Sequence, residues 1–308
     1  MAVELIDFSC KHDILIRNKD GSYLPMDEPY FESELVAPDT WRVLSGGDYC
    51  YIVKGDGVAF AIDSGYGAGN IRAYMESVAG VPVPAVINTH DHFDHTAGNP
   101  YFDRAYMSAF CAKYATVPFP SFDGIDFHAD AYERISVAEG DMIPLPGREL
   151  EVIDVHDHTK GSLLYLDRKN RILFTGDEFF GFPMKSLGFG LTSWVNMLQK
   201  VKAVFDDFDI ACGGNGVLTK EHLQGFIDAA EYAIAHIDEA EVPAVGGGKR
   251  PGPMPDHDGH QVYDRMMPHA GDRTTYEPGD GQQAKPENMR AIVHNGYRLM
   301  FDITLANE

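Results

Sequence analysis

The alternation of apolar and polar residues predicts a first group of short strands between residues 40 and 63. Runs rich in β-branched and aromatic residues, separated by Gly-Gly and Gly-Asp-Gly turn signals, lie at 41–44, 49–53 and 58–62. From residue 71 onward, apolar side chains recur at i, i+3, i+4 and i+7, which is the spacing of an amphipathic helix. The apolar run 84–88 then predicts a buried strand that ends at a histidine-rich loop.

A second group of strands and two longer helices follow. The strand patterns lie at 133–137, 150–155, 163–166 and 172–175, and helical patterns at 193–205 and 220–237 flank a further strand at 208–212. The order of strands, helix, strands and helices favours an α+β protein. We expect two sheets packed face to face with helices on the outer faces, an αββα sandwich.

The character of the chain changes after residue 245. Residues 246–290 contain 14 Gly or Pro among 45 residues, which predicts a long loop without a periodic element. Beyond it, Asn295-Gly296 supplies the tight turn of a closing hairpin, so the loop is pinned at both ends and is expected to be a lid, an arm or an interface. We therefore predict an N-terminal extension (1–39), a main domain (40–245), a loop insertion (246–290) and a hairpin (291–308) that completes the main domain.

Composition and charge narrow the class of protein. The chain has 308 residues, 44% of them hydrophobic, which is enough for a sizeable core. Acidic residues outnumber basic ones by 47 to 25, and the net charge of −22 repels nucleic-acid phosphates and anionic membranes. The sequence shows neither a long apolar run nor a signal-peptide pattern, so we expect a cytoplasmic protein without nucleic-acid or membrane partners.

The segment Thr89-His90-Asp91-His92-Phe93-Asp94-His95 carries the strongest chemical signal. Three imidazoles and an aspartate in H-x-H-x-D-H spacing suit zinc, iron or manganese, whereas a solvated polar loop would rarely concentrate them in this way. The four cysteines contain no CxxC pair, which argues against a thiolate zinc site. The sequence therefore predicts a histidine-based metal centre.

Three further motifs accompany this segment in a fixed order. They are AIDSG at 61–65, HTKGS at 158–162 and LFTGD at 173–177. Together with H-x-H-x-D-H, they resemble the metallo-β-lactamase superfamily, and the resemblance extends over residues 40–220. It implies the αββα sandwich of two mixed β-sheets with helices on the outer faces.

The resemblance also implies a ligand set. His90, His92 and His158 would hold a first metal, Asp94 and His95 a second, and Asp177 would bridge both. Neutral imidazoles with a bridging carboxylate leave a position open for water, as in catalytic zinc sites. Asp63 would orient a ligand from outside, although Asp before Ser-Gly is also an ordinary turn former.

The last motif of the family departs from the pattern. Where relatives carry Gly-His-Gly, this chain reads Gly213-Gly214-Asn215-Gly216. Asn215 is either a weak amide ligand, which would favour manganese or iron at the second site, or only a turn residue. The residues that would otherwise replace the missing imidazole are His257, His260, His269 and His294.

We expect one or two zinc ions and hydrolysis by a metal-bound hydroxide of an ester, thioester or lactone carbonyl in a small molecule. Asp94 would shuttle the proton, and Asp at position 177 is typical of glyoxalase II and lactonase relatives. Phe179, Phe180 and Phe182 are candidates for the substrate pocket.

Three alternatives stay open at this point. The first is a persulfide dioxygenase-like enzyme with a single iron on His90, His158 and Asp177. The second is a metal-binding protein without catalytic activity on the same fold. A homodimer is the alternative to a monomer if the loop 246–290 crosses to a second subunit.

Overall fold

The computed structural model describes residues 14–17, 20–25, 31–45, 47–67, 69–118, 127–243, 256–264 and 274–307. The chain divides into two compact units. The first contains Met1–Val137, Ile143–Glu149 and Gly248–Thr275, and the second contains Ala138–Met142, Leu150–Gly247 and Tyr276–Glu308.

The described residues form short strands and helices. The strands are β1 Ile14–Arg17, β2 Tyr23–Pro25, β3 Glu32–Ala37, β4 Thr40–Ser45, β5 Asp48–Lys54, β6 Ala59–Ile62, β7 Ala85–Ile87, β8 Arg104–Met107, β9 Glu133–Ser136, β10 Met142–Leu145, β11 Arg148–Asp154, β12 Leu163–Asp167, β13 Ile172–Gly176, β14 Met184–Ser186, β15 Ile210–Gly213, β16 Gly216–Thr219, β17 Asp256–His257, β18 His260–Asp264, β19 Met289–His294 and β20 Tyr297–Asp302. The α-helices are α1 Ile71–Ala79, α2 Phe93–Thr96, α3 Cys111–Tyr114, α4 Leu191–Ala203 and α5 Lys220–Ala235, and single 3-10 turns lie at Asn99–Tyr101, Phe205–Asp207, Ile237–Glu239 and Pro286–Asn288.

The first unit is built on a seven-stranded mixed sheet in the order β3-β4-β5-β6-β7-β8-β9. The strands are antiparallel as far as β6 and parallel from β6 to β9. Every residue of β6 and β7 is buried, as expected for central parallel strands. Because β6 and β7 are parallel, their carboxyl ends lie at one edge, and Asp63 and Asn88 follow directly there.

Helix α1 packs on this sheet through Ile71, Met75 and Ala79. It begins at Asn70, whose side chain accepts a hydrogen bond from the Ala73 backbone, and it ends at Gly80 in the left-handed region (φ 68°). The amphipathic helix predicted from residue 71 is therefore confirmed.

The second unit contains a mixed sheet with the strand order β11-β12-β13-β15-β16. Neighbouring strands are antiparallel except for β13 and β15, which run parallel. Helices α4 and α5 contribute Trp194, Leu198 and Phe226 to the apolar core of this unit. Within the described ranges, the helices are too short or too polar to cross a membrane.

The α+β class and the two mixed sheets with helices are confirmed. The strands predicted in both groups are present, and the closing hairpin forms from β19 and β20 with positive φ at Asn295 (49°) and Gly296 (84°). The domain boundaries proposed above stay a prediction. Strand β3, which lies in the predicted N-terminal extension, pairs with β4.

The prediction that residues 246–290 contain no periodic element is wrong. Strands β17 and β18 form a hairpin in this segment, and β18 also pairs in parallel with β1. The two-residue turn Asp258-Gly259 has positive φ at both positions, 54° and 83°. An Asp-Gly turn signal was therefore present in the sequence, but the many Gly and Pro residues around it concealed the two short strands.

Candidate metal centre

The histidine-rich loop of the first unit begins where β7 ends. His92 precedes α2, and this single helical turn carries Asp94 and His95. The ring of His90 lies 4.7 Å from that of His92 and 4.2 Å from that of His95, centroid to centroid. The structure thus gathers the three predicted imidazoles, and His90 and His95 are fully buried.

Asp63, which follows β6, is held in the left-handed region (φ 57°). Its Oδ1 accepts the Thr89 backbone N–H at 2.8 Å, and its Oδ2 accepts the Thr89 hydroxyl at 2.7 Å. The same Oδ2 lies 2.9 Å from Nδ1 of His95. Because an ionised carboxylate only accepts, His95 donates through Nδ1–H, and its Nε2 carries the lone pair that a metal needs.

His90 is oriented by the same carboxylate through one intermediate. The Thr89 hydroxyl has a single proton and donates it to Asp63, so it accepts a hydrogen bond from Nδ1–H of His90, 3.0 Å away. Nε2 of His90 is then also a lone-pair donor. Two buried imidazoles that each keep a lone pair on Nε2 fit a divalent metal of the zinc, iron or manganese class.

Replacing Asp63 with Asn should weaken metal binding without unfolding the chain. The amide would turn its NH₂ group towards Nδ1–H of His95 and the Thr89 hydroxyl, so that donors would face donors. Loss of such an outer carboxylate typically costs a factor of about 10–100 in metal affinity. Competition of Asp63→Asn with a chromophoric chelator for Zn²⁺ measures this, with the exposed Asp103→Asn as the control; equal affinity in all three proteins would contradict the role of Asp63.

The second unit carries His158 and Asp177 on two neighbouring loops. His158 lies between β11 and β12, and Asp177 directly follows Gly176, whose φ of 50° turns the chain out of β13. Nε2 of His158 is 3.8 Å from Oδ2 of Asp177. The HTKGS and LFTGD motifs therefore bring the side chains of His158 and Asp177 together within this unit.

A buried charge network next to His158 and Asp177 was not foreseen from the sequence. The Glu178 carboxylate accepts the backbone N–H groups of Asp157 (2.7 Å) and His158 (2.8 Å). Nζ of Lys185 lies 3.2 Å from Oδ2 of Asp157 and donates to the Glu178 carbonyl at 2.8 Å. All three charged side chains are buried. The only signal in the sequence was that Asp157 and Glu178 adjoin the proposed ligands His158 and Asp177.

Burial raises the pKa of the Glu178 carboxyl to about 7; the ammonium of Lys185 lowers it, and the charge of Asp157 raises it further. The network therefore depends on Lys185 for its balance of charge. Its two carboxylates hold the loops on either side: Glu178 binds the backbone of the His158 loop, and Asp157 accepts the Gly188 N–H at 3.1 Å.

Of the three candidate pocket phenylalanines, two remain at the surface near His158. The Phe180 ring lies 6.2 Å from that of His158 and stacks on Phe182 at 5.3 Å, and Phe182 is 49% exposed. Phe179 is instead part of the core against Trp194. His222 of α5 contacts this segment: its Nε2 lies 2.8 Å from the carbonyl oxygen of Phe180.

Residues 276–285, in the second half of the 246–290 segment, lie beside the HTKGS motif at 158–162. The Lys160 ammonium donates to the Gly279 carbonyl, and Nε2 of Gln282 donates to the His158 carbonyl at 3.1 Å. An open cavity of about 510 Å³ is lined here by Tyr276, Glu277, Gln282 and Lys285, among others. Residues 276–285 are therefore part of the surroundings of His158.

Asn215 lies on an exposed turn, and two of the histidines considered as its replacement stack on tyrosine rings. Gly214 and Asn215 form the two-residue turn between β15 and β16, and the Asn215 side chain is exposed. His257 stacks on Tyr23 and His294 on Tyr232, with ring centroids 4.0 and 4.1 Å apart, respectively. His260 lies in β18, and His269 is outside the described residues. A ligand role for Asn215 stays a prediction.

Two curated proteins resemble this chain over part of its length. The human acyl-coenzyme A thioesterase MBLAC2 is 28% identical over 161 residues, which are 42% of this chain and 57% of the relative. The hydroxyacylglutathione hydrolase of Rhodospirillum rubrum is 28% identical over 169 residues, 54% of this chain and 61% of the relative. The matches thus span little more than half of the length of these relatives.

Solved structures share the fold. A metallo-β-lactamase from Pontibacter korlensis superposes with a TM-score of 0.53 at 17% identity, covering 66% of this chain and 99% of that one. The model of the metallo-beta-lactamase superfamily matches residues 46–207, more than half of the chain. The fold predicted from the four motifs is confirmed, and the chain belongs to the metallo-β-lactamase superfamily.

Proposed function

We propose that this chain is a metal-dependent hydrolase that cleaves a thioester of a small molecule. The observation that carries the proposal is the orientation of two buried imidazoles, His90 and His95, by the single carboxylate of Asp63. Such orientation has no use in packing, whereas it fixes the tautomer and the basicity of a metal-bound histidine.

The proposed ligands come from both parts of the chain. His90, His92 and His158 hold a first ion, Asp94 and His95 hold a second, and Asp177 is shared by both. The family resemblance supports this set, and so does the gathering of the polar groups within each unit. We propose zinc for the first site, with manganese or iron as further candidates for the second, where oxygen ligands dominate.

When bound, these ions supply a hydroxide nucleophile near neutral pH and polarise the substrate carbonyl. The chain's own residues manage the protons. In this proposal Asp94, whose Oδ2 lies 4.0 Å from Nε2 of His95, takes the proton that the water loses as it becomes the nucleophile. It then returns that proton to the departing sulfur as the C–S bond breaks and the carboxylic acid is released.

The names of the two relatives support a thioester, rather than another carbonyl compound, as the proposed substrate. One is named a thioesterase and the other a hydrolase of hydroxyacylglutathione, which is acylated on sulfur. A thiolate is also a better leaving group than an alkoxide. Esters and lactones are therefore the substrates against which thioester hydrolysis must be compared.

A direct test combines metal analysis with a substrate panel. Purified protein loaded with Zn²⁺, Mn²⁺ or Fe²⁺ is assayed on acyl thioesters, matched oxygen esters and lactones, and oxygen uptake is followed with a persulfide. We expect metal-dependent thioester hydrolysis above the other activities. Oxygen consumption by the iron form alone would instead favour the dioxygenase, and bound metal without turnover on any substrate would favour a binding protein.

The exposed ring of Phe182, stacked on the half-buried Phe180, indicates which acyl groups the site would prefer. Phe182 is expected to contact an apolar acyl chain near His158, so Phe182→Ala should raise KM for medium-chain acyl thioesters about tenfold and leave kcat nearly unchanged. Losing the contact of an aromatic side chain on an apolar ligand is worth about 1.5 kcal/mol. Val242→Ala, another exposed apolar position, is the control; the same KM shift for acetyl and medium-chain thioesters would contradict an acyl contact.

A further inference from the structure

We propose that Asp48 is a further ligand of the second metal ion, in the role for which the family carries His and this chain carries Asn215. The inference rests on the proposed metal centre, and it concerns a residue that belongs to none of the four motifs. Asp48 is the first residue of β5 and is only 1% exposed.

The position of Asp48 is set by the β4–β5 hairpin. Asp48 pairs with Ser45 across the hairpin, so its backbone is fixed in register. A ligand atom of Asp48 lies within 4.8 Å of a ring nitrogen of His95, the imidazole proposed for the second ion. Two ligand atoms that are each about 2 Å from one cation are at most about 4 Å apart, so a small side-chain adjustment lets this carboxylate and this imidazole share an ion.

Gly65 allows the hairpin to come this close to the first motif. It lies in the left-handed region (φ 68°), and a Cβ at this residue would be 2.1 Å from the Ser45 hydroxyl oxygen. Any larger residue at 65 would therefore push the end of the hairpin, and Asp48 with it, away from the turn that follows Asp63.

The surroundings of Asp48 are rich in negative charge. Besides Asp48, two other carboxylates lie around His95: Oδ2 of Asp63 is 2.9 Å from its Nδ1, and Oδ2 of Asp94 is 4.0 Å from its Nε2. Asp63 is committed to Thr89 and His95 by the hydrogen bonds described above. Several carboxylates buried close together are unfavourable unless a cation compensates for them, and a divalent metal at Asp94 and His95 would do so.

The contrast with Asn215 supports the assignment. A buried carboxylate is an anionic oxygen donor, whereas Asn215 offers a neutral amide on an exposed turn. With Asp48, the proposed ligands of the second ion are three carboxylates and one imidazole, a set that suits Mn²⁺ or Fe²⁺ better than a thiolate or all-histidine set does.

Metal stoichiometry tests the proposal independently of activity. The metal-free protein is titrated with Zn²⁺ and, separately, with Mn²⁺ in competition with a chelator, and the ions retained after dialysis are counted by mass spectrometry. We expect two ions in the wild type and one in Asp48→Asn, with the remaining affinity unchanged. Asn215→Ala, the matched control, should retain both ions, whereas His90→Ala should lose the first.

Each outcome has a separate meaning. A wild type that binds no ion overturns the metal centre itself, whereas wild-type stoichiometry and affinity in Asp48→Asn overturn only the role of Asp48. Loss of the second ion from Asn215→Ala but not from Asp48→Asn would assign the site to Asn215. If Asp48→Asn does not fold, a crystal structure of the metal-loaded wild type decides, because a ligand oxygen must lie about 2.0–2.2 Å from the ion.

Discussion

Replacing His90 with Ala is expected to abolish turnover and to release the first metal while the chain stays folded. His90 lies on the loop after β7, and its Nδ1 is hydrogen-bonded to the Thr89 hydroxyl. The substitution therefore removes Nε2, the nitrogen proposed to bind the metal. Removing a residue that only orients a ligand already costs about 10–100-fold. Losing the ligand itself should lower kcat/KM by more than about a hundredfold.

His158→Ala should have the same effect, since the first ion is proposed to depend on imidazoles from both loops. The measurements are metal content by mass spectrometry, kcat/KM on an acyl thioester and far-ultraviolet circular dichroism. His294→Ala is the control, because this imidazole stacks on Tyr232 and pairs with the neighbouring Asn295. Full metal content and turnover in both His90→Ala and His158→Ala would refute these residues as ligands. Loss of metal from His294→Ala would instead favour His294 as the replacement for the family's missing imidazole.

Replacing Lys185 with Met should cause the largest loss of stability of any single change considered. The ammonium, 2% exposed, stands between the buried carboxylates of Asp157 and Glu178. Removing one partner of a buried charge group leaves the others uncompensated, which typically costs about 3–5 kcal/mol. We expect the urea midpoint of unfolding to fall accordingly, with weaker metal binding because Glu178 holds the backbone of His158.

The control for Lys185 is a lysine that pairs at the surface. Lys202, which forms an ion pair with Glu231, is 39% exposed at its side chain, so Lys202→Met should change stability by no more than about 1 kcal/mol. If Lys185→Met unfolds at the wild-type urea concentration and retains its metal, the buried network does not hold the His158 loop.

Much of the proposed site could be predicted from the sequence because its signals are local. H-x-H-x-D-H compresses four polar ligands into six residues after an apolar strand, and such a concentration has no packing function. The periodicity from residue 71 and the Asn295-Gly296 turn were equally local, and α1 and the closing hairpin confirm them. The short hairpin at 256–264 was missed because its signal was diluted by surrounding Gly and Pro.

Asp48 and Lys185 could not be recognised in this way. In the sequence, each is a single charge near a short strand, and such a residue usually faces solvent. Only the tertiary structure decided that Asp48 is buried beside His95 and that Lys185 is buried between Asp157 and Glu178. The sequence by itself determined the ligand motifs, the family and the main elements, since these depend on residues close together in the chain. Burial depends on contacts between distant segments, and therefore the charge environment of the site became visible only once the chain was folded.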